Sequence, residues 1–325
     1  MDELVPGYRI VRQIGAGAGS KIILCTDLRT GRQVAIKHVI RSTAEDDKLV
    51  EQIENEYHVT HKLDHEHLRK SLAVHRVRKL LQTKEIMLVM EYVDGLPLET
   101  ARPNRLNTFL TIFQKVAAGL DALHNAGYVH ADMKPTNVLL GKSGLLKIID
   151  FGQACRMNHR KERVQGTPDY IAPEQARRLQ LDRRTDVFNL GATMYWVLTS
   201  EKYPTVIQGT DPRGGIRLIT SGKPLAPIEL NDKIPLALSR LVMECCRENP
   251  AERPADMKQV AARLTVVGNL WKKHLDSKRA ELRPGAVADA TPGVEPLAGT
   301  NDPAPADPGN IRFNDQTVRS LEEEE

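Results

Sequence analysis

The sequence predicts an α+β protein of two lobes, strand-rich first and helix-rich second. Three observations carry this. Residues 8–40 read as strands, with "YRIVRQI", "KIILCTD" and "VAIKHVI" parted by glycine-containing turns. A single helical stretch follows over 43–63, and "EIMLVMEYV" (85–93) is a further strand closed by Asp94-Gly95. From about residue 107 the apolar pattern turns helical and stays so. Strand runs followed by helix runs imply segregated layers, not alternating βαβ units.

The first helix has a candidate start in Ser42-x-x-Glu45, a capping-box spacing, with acids crowding its first turn. Leu49, Ile53, Tyr57, Thr60 and Leu63 then recur at three- and four-residue steps. "TFLTIFQKVAAGLDALHNAG" ends at Gly127, a helix stop. "DVFNLGATMYWVLTS" (186–200) is apolar nearly all round, the mark of a buried helix. "PLALSRLVMECCRE" and "DMKQVAARLTVVGNLWKKHL" are amphipathic.

Bulk properties narrow the classes. The chain has 325 residues, 41% hydrophobic and 27% charged, ordinary for a globular protein. No run of eighteen apolar residues offers a membrane span, and "MDELVPGYRI" lacks the apolar core of a secretory signal. Four cysteines without CxxC spacing suit a reducing, cytoplasmic setting. The net charge of +4 hides an asymmetry: residues 281–325 carry −7 and the rest +11. Aromatics are 4% and no nucleic-acid-binding motif occurs, so the basic body is read as serving phosphate-bearing ligands or acidic substrates.

The chemistry lies in five ordered motifs. "IGAGAGSKI" (14–22) sets glycines between two strands, where backbone N–H groups can approach phosphates. A strand-like run follows it, against the dinucleotide fingerprint, and no Gly-Lys-Ser/Thr ends it, against the P-loop. "VAIK" (34–37) puts Lys37 within an apolar strand, where an ammonium needs a partner; Glu56 can supply one. "HADMKPTN" offers Asp132, Lys134 and Asn137, and "KIIDFG" offers Asp150 at a strand end. "GTPDYIAPE" (166–174) follows.

Order and spacing over 8–268 resemble the eukaryotic-like protein kinase family, in its bacterial serine/threonine branch. The resemblance implies the bilobal protein-kinase-like fold, with a β-rich N-lobe (about 8–93) bearing one regulatory helix. An α-helical C-lobe (about 94–268) follows, then a helical extension (269–280) and a disordered Pro/Ala-rich acidic tail (281–325). It implies Mg-dependent transfer from ATP to protein Ser/Thr hydroxyls, with Mn²⁺ as an alternative metal. The rival readings are a pseudokinase or ATP-binding scaffold, and a small-molecule kinase, which generally lacks the DFG-to-APE segment.

Residue by residue, the resemblance assigns nucleotide binding to Ile14, Gly15, Ala16, Gly17, Ala18, Gly19, Ser20, Ile22, Ala35, Lys37, Met90, Glu91, Val93 and Leu139. Met90 is then the gatekeeper, and Glu91 and Val93 are the hinge. Lys37 holds the α/β-phosphates and pairs with Glu56. Asp132 orients the acceptor hydroxyl, Lys134 meets the γ-phosphate, and Asn137 and Asp150 ligate the metal. Glu174 pairs with Arg253, Asp186 braces the catalytic loop, and Thr167 braces Asp132 and Lys134.

Three departures stand out. Ser20 replaces the third glycine of the loop, with Gly19 beside it. Thr60 stands where a larger apolar residue usually completes a stack with His130 and Phe151, which implies a looser helix around Glu56. Ala131 replaces the arginine before the catalytic Asp, and residues 153–166 contain no Ser, Thr or Tyr. Together these imply a kinase independent of activation-segment phosphorylation. "HVTHKLDHEH" has metal-like spacing without a closed ligand set. Cys155 reads as a small buried residue and Cys245-Cys246 as core.

Overall fold

A six-stranded antiparallel sheet forms the first lobe of the computed structural model, which describes residues 3–17, 19–79, 82–210, 216–220 and 223–281. Ala18 lies outside the described residues, and so does the expected tail beyond its first residue. The strands are β1 (Glu3–Val5), β2 (Tyr8–Gly17), β3 (Ser20–Asp27), β4 (Gln33–Ile40), β5 (Ser71–Lys79) and β6 (Gln82–Glu91). Their order is β1-β2-β3-β4-β6-β5. Between β3 and β4 the Asp27 carboxylate accepts the N–H groups of Arg29 and Thr30, and Gly31 takes φ +71°.

α1 (Asp47–Thr60) packs against β5 and β6. Its entry corrects the expected capping box by one residue. A short 3₁₀ turn (Ala44–Asp46) precedes the helix, and the Asp46 carboxylate accepts the N–H groups of Ser42 and Thr43. The helix starts later than the acids suggest, so the three-residue spacing falls on Thr43 and Asp46, not Ser42 and Glu45. Strand β5, "SLAVHRVRK", was not legible as a strand. It lies at the sheet edge, where His and Arg can face water and break the apolar alternation.

The second lobe opens with β7 (Gly95–Pro97), α2 (Leu106–Asn125) and β8 (Tyr128–Val129). Next come β9 (Val138–Gly141), β10 (Leu146–Ile148), β11 (Cys155–Arg156), β12 (His159–Arg160), α3 (Pro173–Ala176) and β13 (Gln180–Leu181). It closes with α4 (Arg183–Thr199), β14 (Val206–Thr210), β15 (Ile216–Thr220), α5 (Pro227–Leu230), α6 (Leu236–Cys245) and α7 (Met257–Glu281). Phe109, Phe113, Leu120, Leu190, Leu241 and Leu264 belong to one core drawn from α2, α4, α6 and α7. α4 is buried on nearly every face, as its composition predicts. Gly191 on α4 lets α6 approach: a Cβ there would stand 2.6 Å from Cys245 Cβ. α7 runs unbroken through 269–280.

Short ladders hold the segment after β10. β11 pairs with β8, β12 with β13, and β9 lies between β10 and β7. The C-terminal end of that segment is tied to the helices by a buried ion pair. Arg253 donates to both Glu174 oxygens, at 2.7 and 2.9 Å, and to the carbonyls of Arg184, Arg247 and Glu248. Its guanidinium also lies 5.0 Å from the Phe188 ring centroid. Removing one partner strands a buried charge, so Arg253→Met should destabilise the protein by about 3–5 kcal/mol in urea unfolding. The double variant Glu174→Gln/Arg253→Met should lose less than Arg253→Met alone.

Candidate active site

Lys37 sits on the central strand β4, where its ammonium is removed from bulk water. Two carboxylates meet it: Glu56 Oε2 and Asp150 Oδ1, each 3.1 Å from Nζ. Glu56, 1% exposed on α1, gives its other oxygen to Arg69 at 2.6 Å. Burial alone would lower the lysine pKa, but Glu56 and then Asp150 overcome it and push it up. Burial likewise favours a neutral Asp150, yet Lys37 and Arg69 hold it down to about 2. The Asp150 side chain is 41% exposed, at the open side of this network. Asp150 has φ +64°, and Phe151 after it is fully buried, 5.1 Å from the His130 ring.

The loop between β8 and β9 carries "HADMKPTN". Asp186, fully buried on α4, accepts the N–H groups of His130 and Ala131 at 2.8 Å and His124 Nε2 at 2.7 Å. Burial would raise its pKa; the His124 hydrogen bond and charge lead the interactions that lower it. Ala131 adopts φ +59° with its methyl fully buried, and its carbonyl accepts Gln175 Nε2 at 2.8 Å. Such a backbone is strained for a residue with a Cβ, and these two bonds hold it.

Asp132 Oδ1 accepts both the N–H (2.9 Å) and the hydroxyl (2.8 Å) of Thr167, while Oδ2 lies 3.1 Å from Lys134 Nζ. Lys134 also donates to the Thr167 hydroxyl at 2.7 Å. Carboxylate, hydroxyl and ammonium thus form a closed triangle across two loops. Asn137 spends its amide nitrogen on the Asp132 carbonyl at 2.8 Å. Its backbone carbonyl accepts from Ile149, which sets it beside the residue preceding Asp150. The Asn137 amide oxygen and the Asp150 carboxylate are hard donors of the kind Mg²⁺ takes, so the donor set fits that ion.

Ile14, Ile22, Ala35 and Met90 pack in one apolar cluster of the first lobe. Ala35 faces Met90 in register between β4 and β6, and Val93 is buried just beyond. The Glu91 carboxylate pairs with Lys147 at 3.0 Å, which leaves only its backbone for a hinge role. Leu139 is half-buried on β9. In the β2–β3 hairpin Gly15 pairs with Ile22, Ala16 with Lys21 and Gly17 with Ser20. Gly19 turns the chain at φ +78°, with Leu49 of α1 directly against it.

Two expectations, for Thr60 and for Cys155, look different in three dimensions. Thr60 does not loosen α1: its buried hydroxyl donates to the Glu56 carbonyl at 2.7 Å and bonds Ser71 Oγ at 2.6 Å. A polar contact replaces the expected apolar one. Cys155 is half-buried, not buried, and burial pushes its thiol up to about 11. Cys245 and Cys246 are buried. In the histidine-rich stretch, His61 and His67 spend Nδ1 on the carbonyls of Tyr57 and Leu146. No described helix is long and apolar enough to cross a membrane.

Several site residues escaped the sequence reading. Asn55, beside Glu56, donates to the carbonyls of Phe151, Gly152 and Ala154 at 3.3, 3.2 and 2.7 Å. Arg69 shares Glu56, and His124 shares Asp186. Gln175 joins Ala131 to Gln165 and Ala172. Asn55 and Gln175 adjoin Glu56 and Glu174, and that adjacency was the available signal.

The comparisons with known proteins agree. A family model described as protein kinase domain matches residues 8–264. The chain is 30% identical to Serine/threonine-protein kinase A of Synechocystis sp., covering 87% of this chain and 55% of that protein. It is 26% identical to Serine/threonine-protein kinase pkn3 of Myxococcus xanthus, over 97% and 60%. It is 27% identical to Serine/threonine-protein kinase PknB of Mycobacterium tuberculosis, over 89% and 48%. The chain therefore spans about half the length of the curated relatives it matches. With the motifs, the two-lobed fold and this match together, the chain belongs to the protein kinase domain family.

Proposed function

We propose that the chain transfers the γ-phosphate of ATP to Ser or Thr hydroxyls of proteins, with Mg²⁺ as its metal. The observation that carries this is the Asp132–Thr167–Lys134 triangle set beside Asn137 and Asp150. Phosphoryl transfer needs positioning and charge stabilisation more than covalent chemistry. Asp132 Oδ1 already accepts two hydrogen bonds from Thr167, so Oδ2, which meets only Lys134 at 3.1 Å, is the oxygen suited to accept an acceptor hydroxyl's proton. Lys134, held by Thr167, stands one hydrogen bond away to meet negative charge on the moving group. Lys37, fixed by Glu56, suits the remaining phosphates. Mg²⁺, when bound by Asn137 and Asp150, would neutralise phosphate oxygens; Mn²⁺ would serve the same donors.

Independence from activation-segment phosphate is part of the proposal. No hydroxyl lies between 153 and 166, and Ala131 offers no guanidinium. Asn55 and the β8–β11 and β12–β13 ladders hold the segment instead. A cytoplasmic setting is proposed because all four cysteines are free thiols.

Magnesium-dependent labelling of a generic protein, or of the chain itself, tests the proposal; nucleotide binding without transfer would favour a scaffold. Asp150→Ala and Lys37→Met should each nearly abolish labelling. Asp132→Asn should slow it by about 10²–10⁴-fold while nucleotide binding persists. Phosphoamino-acid analysis should find phosphoserine or phosphothreonine, and dominant phosphotyrosine would contradict the proposed Ser/Thr acceptor. Protein stripped by phosphatase should show its full initial rate at once. A lag removed by prior autophosphorylation between 153 and 170 would oppose independence.

A further inference from the structure

A cleft of about 310 Å³ opens between α1 and the segment after Asp150. Lys48, Arg156, Lys161 and Arg163 line it, and Glu51 is the single acid among its lining residues. Glu51 reaches Arg163 only at 3.9 Å, near water. Lys161 is 9% exposed and donates to the Gln153 carbonyl. Among the described residues no carboxylate comes within 4.0 Å of its ammonium. Burial lowers its pKa, and the charges of Cys155, Asp132 and Asp186 oppose that only in part.

The Arg156 guanidinium stacks on the Tyr128 ring at 4.3 Å, so Lys48, Lys161 and Arg163 face the one carboxylate, and an entering anion would offset their repulsion and add to the hold of Asn55. The segment cannot supply one by modification, since 153–166 holds no hydroxyl. The longest acidic run of the sequence is Glu322–Glu325, within a stretch of net charge −7. Residues 282–321 connect it to the end of α7. At roughly 3.3 Å per extended residue they span more than about 100 Å, so reach does not restrict docking.

We propose that this cleft receives the chain's own acidic run, Glu322–Glu325, whose carboxylates neutralise Lys48, Lys161 and Arg163. The docked run holds residues 153–165 against α1. This goes beyond phosphoryl transfer and is read without it, so failure of either proposal leaves the other standing.

Hydrogen exchange on the full chain tests it. Replacing Glu322–Glu325 with Gln should speed exchange over 153–165 by about tenfold at low salt. Lys48→Glu with Arg163→Glu should do the same, and Lys48→Arg with Arg163→Lys should not. Carbodiimide should cross-link the acidic run to Lys48, and about 0.5 M salt should suppress the product. Equal exchange in the parent and the Gln variant, or cross-links scattered over other lysines, would overturn the proposal. Protection that grows with protein concentration would assign the cleft to a second copy. Protection of the Gln variant equal to the parent and increased by inorganic phosphate would assign it to a phosphate-bearing partner.

Discussion

A single carboxylate, Glu56, 1% exposed, is the constraint on which the rest of the site depends. It is tolerable there only because each oxygen meets a cation, Lys37 on one side and Arg69 on the other. Lys37 in turn is shared with Asp150. One buried charge thus fixes the relative places of β4, α1, the turn before β5 and the segment after β10. Loss of one partner from such a group typically costs about 3–5 kcal/mol, so the contacts that align the phosphate-facing groups also bear on stability. Thr60 and Ser71 extend the polar interior beneath it and leave no hydroxyl stranded.

A second buried carboxylate, Asp186, does for the catalytic loop what Glu56 does for the upper lobe. It takes three donors, two of them consecutive backbone N–H groups. Those bonds impose the turn that gives Ala131 a left-handed backbone and aims Asp132 at Thr167. The geometry comes from main-chain hydrogen bonds and Gln175, not from the side chain at 131. An alanine therefore keeps the loop while removing a cation.

Much of this was legible. Helices with strong periodicity, α2, α4 and α7, declared themselves, as did β2, β3, β4 and β6. Lys37, Glu56, Asp132, Asn137 and Asp150 were nominated by motif and lie together in space. What the sequence hid was of two kinds. β5 lies at an edge, where solvent relaxes the alternation that makes strands readable. Asn55, Arg69, His124 and Gln175 act through long-range bonds to main-chain atoms or to shared carboxylates. Such partners leave no periodic trace, because targets such as Phe151, Asp186, Ala131 and Glu56 lie 13 or more residues away and are set only by the finished fold. Thr60 misled for a related reason: its partner, Ser71, sits on the strand that was missed.

The turn at Gly19 bears on how such proteins are found. Position 19 has a positive φ and Leu49 against it, whereas position 20 pairs in an ordinary strand register with Val39. The place that demands glycine in this hairpin is therefore one residue ahead of the third glycine in G-x-G-x-x-G. A string search for that pattern would pass this chain by, although the backbone supplies the permissive turn the pattern encodes. In this hairpin the conformational demand is met by a left-handed position and not by the third letter of the pattern.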